Sequence, residues 1–331
     1  MHMHDEYILE RLMQGETVSG EALSREMGLS RAAVWKAILR LREQGWQIEA
    51  APRVGYRLAP PEDGLLPMDI YAGLDTSMYG RRVDYSRELD STNTRARALA
   101  QEGAPDGTLV VAEIQTAGRV RLGRTWISPP GTGIYMSLIM RPGIPVQRLA
   151  LMTPAVALGV CRGLGSVCGQ QVLIKWPNDI VCAGRKLVGM LLDAQTSTAM
   201  DGVDWVVAGI GINVHQTLAD FPQEVQATAG SLDMVSGQRI PRAQAAQAVL
   251  RELERTVALV TEGREGELMD AYAAKSATLG KRVRVIASGG EYEAEAVRLQ
   301  PDGALVVRRG DGSETPVYAG DVSVRGIMGY A

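Results

Sequence analysis

The sequence predicts a multidomain α+β chain built from three modules. These are a winged helix-turn-helix over residues 1–60, a mixed α/β domain over 65–275 and a small β-barrel of SH3 type over 277–331. Three observations predict it. The amino-terminal stretch carries three short helical patterns followed by two strand patterns around a turn. The centre alternates apolar strand runs with longer helical periods. The remainder is strand-like throughout, cut by Gly-Gly and Asp-Gly turns.

In the first module, residues 5–14 form an amphipathic helix with Ile8, Leu9 and Leu12 inward. Ser19-Gly20 opens a second helix, Glu21–Met27, which stops at Gly28. Ser30 caps a third helix that runs to Gly45, because a serine hydroxyl satisfies a free N–H of the first turn and glycine accepts the left-handed exit. Val34, Ile38 and Leu41 fall on one face of this helix, with Arg31, Trp35, Lys36 and Arg42 on the other. Strands Trp46–Glu49 and Gly55–Leu58 follow, joined at Ala51-Pro52-Arg53. Residues 25–57 carry seven basic and three acidic side chains, a local net charge of +4 in a chain whose net charge is −3. Helix plus wing with that charge is the pattern of a DNA-binding module, which uses cations for phosphates and a few side chains for base edges. Ser30, Arg31, Trp35, Lys36 and Arg53 are its candidate contacts.

Pro60-Pro61-Glu62-Asp63-Gly64 reads as a linker. The central strands are expected at Val83–Tyr85, Leu109–Glu113, Ile134–Met140, Val172–Lys175, Ile180–Cys182, Lys186–Asp193 and Val206–Val214. Its helices are expected at Thr92–Gln101, Val146–Leu164 and Arg242–Glu262. The last module offers strands Arg282–Ala287, Tyr292–Leu299, Ala304–Arg308, Glu314–Tyr318 and Val322–Ile327.

Composition narrows the function. An apolar share of 46% and a charged share of 22% are ordinary for a globular protein, and the mild acidity argues against a chain that coats nucleic acid. Three cysteines without a Cys-x-x-Cys pair, beside three histidines, argue against a structural zinc site and fit reduced thiols in the cytoplasm. Residues 1–6 lack a basic and an apolar region of signal-peptide type. The apolar stretch near Leu149–Cys161 is interrupted by Thr153 and Pro154 and reads as too short to span a bilayer.

Two motifs carry the chemistry. Gly118-Arg119-Val120-Arg121-Leu122-Gly123-Arg124 sets three arginines among seven residues with two glycines. In an extended segment Arg119 and Arg121 point the same way, and each guanidinium can grip a carboxylate or phosphate with two parallel hydrogen bonds. The same pattern also suits a basic surface turn. Lys175-Trp176-Pro177-Asn178-Asp179 follows a strand and brings a lysine, an amide and a carboxylate to its end, or forms a structural turn. Lys186 opens the next apolar strand, where it is either solvated or aimed at an anion. No Walker A pattern or complete Gly-x-Gly-x-x-Gly is present. Gly209-Ile210-Gly211-Ile212-Asn213 reads better as a strand with close backbone approach.

These motifs, with Asp90-Ser91-Thr92-Asn93, Gln115-Thr116-Ala117 leading into the arginine segment, Thr125-Trp126 closing it, and Arg185-Lys186-Leu187-Val188-Gly189, occur in a fixed order. The chain resembles the bifunctional biotin–protein ligases that also act as biotin operon repressors. The likeness covers nearly the full length and implies a class II synthetase-like core. It implies that Ser91, Thr92, Asn93 and Gln115 line the biotin pocket, whose hydroxyls and amides suit a neutral ureido ring. It implies that Arg119, Val120 and Arg121 close over biotin and phosphate, and that Lys186 contacts the biotin carboxylate and the α-phosphate. Trp126, Lys175, Asn178 and Asn213 are implied at the adenylate, and Asp179 is a candidate base for the acceptor lysine. The family segment usually reads Gly-Arg-Gly-Arg; here Val120 stands at the second glycine and stiffens the backbone.

The resemblance further implies ATP and Mg²⁺ as cofactors and biotin as substrate. It implies a biotin carboxyl-carrier protein as acceptor, biotin operator DNA as target and a ligand-promoted homodimer, with no membrane partner. A non-catalytic biotin-sensing repressor, and a ligase whose winged helix binds no DNA, remain alternatives. A lipoate ligase would share the central fold, but the attached winged helix and the Gly-Arg-x-Arg segment favour biotin.

Overall fold

The computed structural model describes residues 3–13, 17–43, 46–51, 54–59, 63–118, 126–197, 202–287, 290–318 and 322–326. The chain divides into two compact units, Met1–Gly73 and Leu74–Ala331.

The first unit holds α1 (Met3–Met13), α2 (Gly20–Met27), α3 (Arg31–Glu43), the hairpin β1 (Ile48–Ala51) and β2 (Gly55–Leu58), and the short α4 (Pro67–Tyr71). Ser19 Oγ accepts from Ala22 N at 3.0 Å and caps α2, and Gly28 ends it in the left-handed conformation. Ser30 Oγ accepts from Ala33 N at 3.2 Å at the start of α3. Ile8, Leu12, Leu23, Ile38 and Leu41 are fully buried and close the three helices on one core. Gly55, at φ +139, leaves no room for a side chain, since a Cβ there would meet Val18 O at 2.3 Å.

Sequence reading placed Arg42 outside; its guanidinium is instead half-buried and donates to Ile48 O at 2.9 and 2.6 Å, fastening the wing to α3. A carbonyl at the strand start needs a donor, and the long arginine stem reaches it while covering apolar surface. Arg40 is likewise engaged by the buried Asp5.

The second unit is built on a seven-stranded sheet ordered β3-β4-β5-β9-β8-β7-β6, in which β3–β4 is the parallel pair. Its elements are β3 (Arg82–Leu89), α5 (Thr92–Gln101), β4 (Thr108–Gln115), β5 (Gly133–Met140), α6 (Met152–Cys168), β6 (Val172–Lys175), β7 (Asp179–Cys182), β8 (Arg185–Ser197), β9 (Gly202–Asn213), α7 (Leu232–Ser236), α8 (Arg242–Thr261) and α9 (Glu265–Ala273). β5 is buried along its whole length, so the sheet is covered on both faces. One cover is α5, whose Ala96 and Ala100 pack on Val110, Ile139, Trp205 and Val207. α6 and α8 lie backbone to backbone: a Cβ at Gly163 would meet Val249 Cα at 2.6 Å.

The segment Val146–Cys168 is one continuous helical run, a 3₁₀ turn at Val146–Leu151 leading into α6, and is not interrupted at Thr153 and Pro154. Both fall in the first turn of α6, where a missing proline N–H costs nothing. By length and composition the run would suffice to cross a membrane, but 72% of its 18-residue apolar window is buried inside the fold.

A five-stranded antiparallel sheet ends the chain, ordered β13-β12-β11-β10-β14. Its strands are β10 (Arg282–Ala287), β11 (Gly290–Leu299), β12 (Leu305–Arg308), β13 (Glu314–Val317) and β14 (Val322–Gly326). Trp176 joins it to the central sheet, donating from its backbone N to Thr278 Oγ1 at 3.0 Å and from Nε1 to Gly303 O at 3.1 Å.

Candidate active site

Strand register creates a trough on the α5 side of the sheet. Gly189 of β8 pairs with Gly211 of β9, and Leu191 pairs with Gly209. Three of these four positions have no Cβ, so the sheet surface is bare backbone where neighbouring rows carry side chains. The gaps are used at once. A Cβ at Gly209 would lie 1.8 Å from Asn93 Oδ1, and a Cβ at Gly189 or Gly211 would lie 2.6 Å from the Trp126 ring. The resulting open cleft has Ser91, Thr92, Asn93 and Gln115 on one side and Trp126 on the other.

The polar wall is neutral and tightly organised. Gln115 Oε1 accepts from Thr92 N at 2.9 Å and from Thr92 Oγ1 at 3.1 Å, while Gln115 Nε2 donates to Ser128 Oγ at 3.1 Å. Asn93 Nδ2 points at Leu191 O and Asp193 Oδ2, at 3.3 and 3.4 Å. Ser137 is fully buried between Asn93 Oδ1 at 2.6 Å and Thr92 Oγ1 at 2.8 Å. Such a network fixes which side-chain atoms face the cleft before any ligand arrives. Ser91 starts α5 without a capping bond from its side chain, so its hydroxyl is not consumed by the helix.

The cationic part lies at the beginning of β8. Lys186 Nζ and Asp179 Oδ1 form an ion pair at 2.5 Å, each side chain about a quarter exposed. The β7–β8 register shifts between Val181↔Lys186 and Ile180↔Val188, so β8 carries one extra residue there. A bulge of this kind breaks strict alternation and re-aims the side chain beside it. Lys186 is further tied by its backbone, donating to Thr228 O at 2.7 Å and accepting from Gly230 N at 3.0 Å. Among the described residues no group of three or more His, Cys, Asp or Glu could hold a metal.

Three family models match the chain. Residues 5–57 match a helix-turn-helix domain, residues 85–213 the biotin/lipoate A/B protein ligase family, and residues 278–325 the biotin protein ligase C-terminal domain. The bifunctional ligase/repressor BirA of Bacillus spizizenii is 39% identical over 93% of this chain and 94% of its own length. The chain belongs to the bifunctional biotin ligase/repressor family. The protein of the same name from Escherichia coli is 30% identical over 96% of both chains. A solved biotin protein ligase from Aquifex aeolicus, in complex with biotin and ATP, covers 74% of this chain and 99% of its own at TM-score 0.61 and 26% identity.

As a biotin ligase, the chain distributes the residues read from sequence over three places. Ser91, Thr92, Asn93, Gln115 and Trp126 meet in one cleft. Lys186 and Asp179 form the charged corner. Lys175, Asn178 and Asn213 are buried supports: Asn178 Nδ2 donates to Met190 O at 3.2 Å, and Asn213 Nδ2 to Gly230 O at 3.0 Å. Arg119, Val120 and Arg121, and Arg53 of the wing, lie outside the described residues. In the amino-terminal unit Trp35 is 51% exposed and Lys36 is exposed; Arg31 pairs on the surface with Glu21.

Sequence reading missed Ser137, Leu191 and the glycine trough as parts of the site. A serine inside the otherwise apolar β5, and glycines at Gly189, Gly209 and Gly211 in buried strands, were the signs available. Only the strand register reveals that the glycines are neighbours.

Proposed function

We propose that this biotin ligase binds biotin in the glycine-floored cleft with its ureido ring against Ser91, Thr92, Asn93 and Gln115, and its carboxylate toward Lys186. The observation that carries this reading is a neutral hydrogen-bonding wall from α5 and β4 over a floor that includes Gly189 of β8, the strand that also carries Lys186 of the charged pair. A ureido group offers one carbonyl and two N–H groups, which neutral amides and hydroxyls satisfy without a charge to desolvate.

Biotin carboxylate attacks the α-phosphate of ATP, a C–O–P bond forms and pyrophosphate leaves. Two anions must meet, so Lys186, with Arg119 and Arg121, lowers the repulsion. Asp179 is the carboxylate that would help hold a magnesium ion brought by the nucleotide phosphates, and that ion would offset phosphate charge. Trp126, Lys175, Asn178 and Asn213 shape the adenylate end. In the second step the acceptor lysine attacks the mixed anhydride and AMP leaves. That amine has an ordinary pKa of about 10.4 and must lose its proton; Asp179 accepts it.

The acceptor is the carboxyl-carrier protein of a biotin-dependent carboxylase. β7 pairs with β8 only as far as Val188, which leaves the edge of Gly189–Ser197 without a strand partner among the described residues. That edge can accept a strand from the carrier or from a second copy of the chain, so the two compete. In the repressor role, the adenylate promotes the homodimer on biotin operator DNA, with Ser30, Arg31, Trp35, Lys36 and Arg53 at the duplex.

The test is a streptavidin blot of a purified carrier domain incubated with the protein, biotin and MgATP. Label on the carrier lysine supports the reading, and its absence with an intact carrier removes it.

A further inference from the structure

A buried ion pair behind the cleft is used by neither the biotin wall nor the charged corner. Arg242 is the first residue of α8 and only 3% exposed. A cation there is placed against the helix dipole, and the first turn of α8 contains no acidic residue to offset it. Burying a guanidinium is costly, so helix stability does not account for it.

Its contacts do. Arg242 Nη1 donates to Glu113 Oε1 at 2.8 Å and to Gly133 O at 3.0 Å. The same Glu113 oxygen accepts from Gly131 N at 2.6 Å. Glu113 and Gln115 lie two residues apart on β4 and therefore on one face. Gln115 holds Ser128, and Glu113 holds Gly131. Tyr135 Oη completes the set by donating to Pro129 O at 3.0 Å; burial pushes its phenol up to about 12, so it stays a donor. The segment after Trp126 is thus stitched to the sheet at Ser128, Pro129 and Gly131, with Arg242 of α8 bracing Gly133, and the indole that opens it lies on Gly189 and Gly211.

We infer that Arg242 and Glu113 are positioning residues: by fixing Pro129–Gly133 they set where Trp126 lies over the glycine floor, and so determine biotin affinity and adenylate retention without touching either ligand. This rests on the reading of the cleft as the biotin site.

The full-length protein is compared with Glu113→Gln, Arg242→Lys and the double variant Glu113→Met/Arg242→Met. The double variant removes both charges together and avoids stranding one of them. Measured are biotin KM, ATP KM and kcat for adenylate formation, the rate of adenylate release, and Tm. Because Trp126 borders the biotin wall and shapes the adenylate end, its displacement raises biotin KM, ATP KM and adenylate release about tenfold, with kcat within about twofold. The double variant shows the same split at a Tm near that of the parent. A fall in Tm with unchanged KM values and release rate makes the pair merely structural and overturns the inference, as does a fall in kcat with both KM values unchanged. Gly209→Ala separates the two claims. If it raises biotin KM and the pair variants do not, the positioning role alone fails. If neither does, the cleft is not the biotin site.

Discussion

The two parts of the proposed site are built on opposite principles. The wall of Thr92, Asn93 and Ser137, with the half-buried Gln115, is neutral and bonded internally before ligand binds. The corner of Lys186 and Asp179 is charged, partly exposed and joined by an ion pair. A rigid neutral wall gives selectivity, because an ill-fitting ligand leaves buried polar atoms unpaired. A charged pair that can part gives reactivity, because its cation is available when negative charge accumulates at the phosphate. Affinity and rate should therefore separate along this line.

The largest effect is expected from Lys186→Ala, which should lower kcat for adenylate formation about 100- to 1,000-fold, the scale of losing one group that stabilises the transition state. Biotin affinity, read by calorimetry, should change far less. Asp179→Asn should slow transfer from preformed adenylate to the carrier lysine about 100-fold, the range of lost general-base assistance. Single-turnover transfer followed against pH checks it, and unchanged transfer assigns the base elsewhere.

Ser137→Ala acts on the wall. It leaves Asn93 Oδ1 without its hydroxyl partner and should cost about 1–3 kcal/mol of stability, measured by denaturant unfolding, with a matching loss of biotin affinity and little change in kcat. The thiols should give the smallest effect. Burial raises Cys161 to about 12 and Cys182 to about 11, from an ordinary value of 9.0. Neutral thiols in the fold are unreactive at pH 8 and should react with a disulfide reagent only after unfolding. The sign follows from the raised values: this contribution to stability is complete below pH 9.0 and is lost as pH rises toward 11–12.

The amino-terminal unit sharpens the same comparison at another site. Of its basic residues, Arg40 and Arg42 are committed to Asp5 and to Ile48 O, whereas Lys36 projects from α3. Lys36→Ala should weaken binding to upstream DNA and lower the salt slope by about one, whereas the same change at Arg42 should act mainly through stability.

Much of this was legible in sequence. Ser19, Gly28 and Ser30 marked the helices of the first unit because capping is local chemistry. Thr92–Gln101 was read with its observed bounds, and Ser91, Thr92, Asn93 and Gln115 meet in one cleft. What stayed hidden depends on pairing between distant strands. Gly189 and Gly211 become a floor only once β8 lies beside β9, and Lys186 is re-aimed by a bulge that periodicity does not reveal. The short helices α4 and α7 span a single turn each and leave too little period to read. Arg42 could not be told from its solvated neighbours because its partner is a backbone carbonyl.

The most direct test sets Gly209→Ala beside Lys186→Ala in one assay of adenylate formation. A methyl group at 209 must displace Asn93, whose Oδ1 lies 1.8 Å from the new Cβ position, and break the wall. Gly209→Ala should raise biotin KM by about 100-fold with kcat largely retained, while Lys186→Ala should lower kcat with biotin affinity largely retained. Wild-type biotin KM in Gly209→Ala, or the same parameter moving in both variants, would contradict this separation.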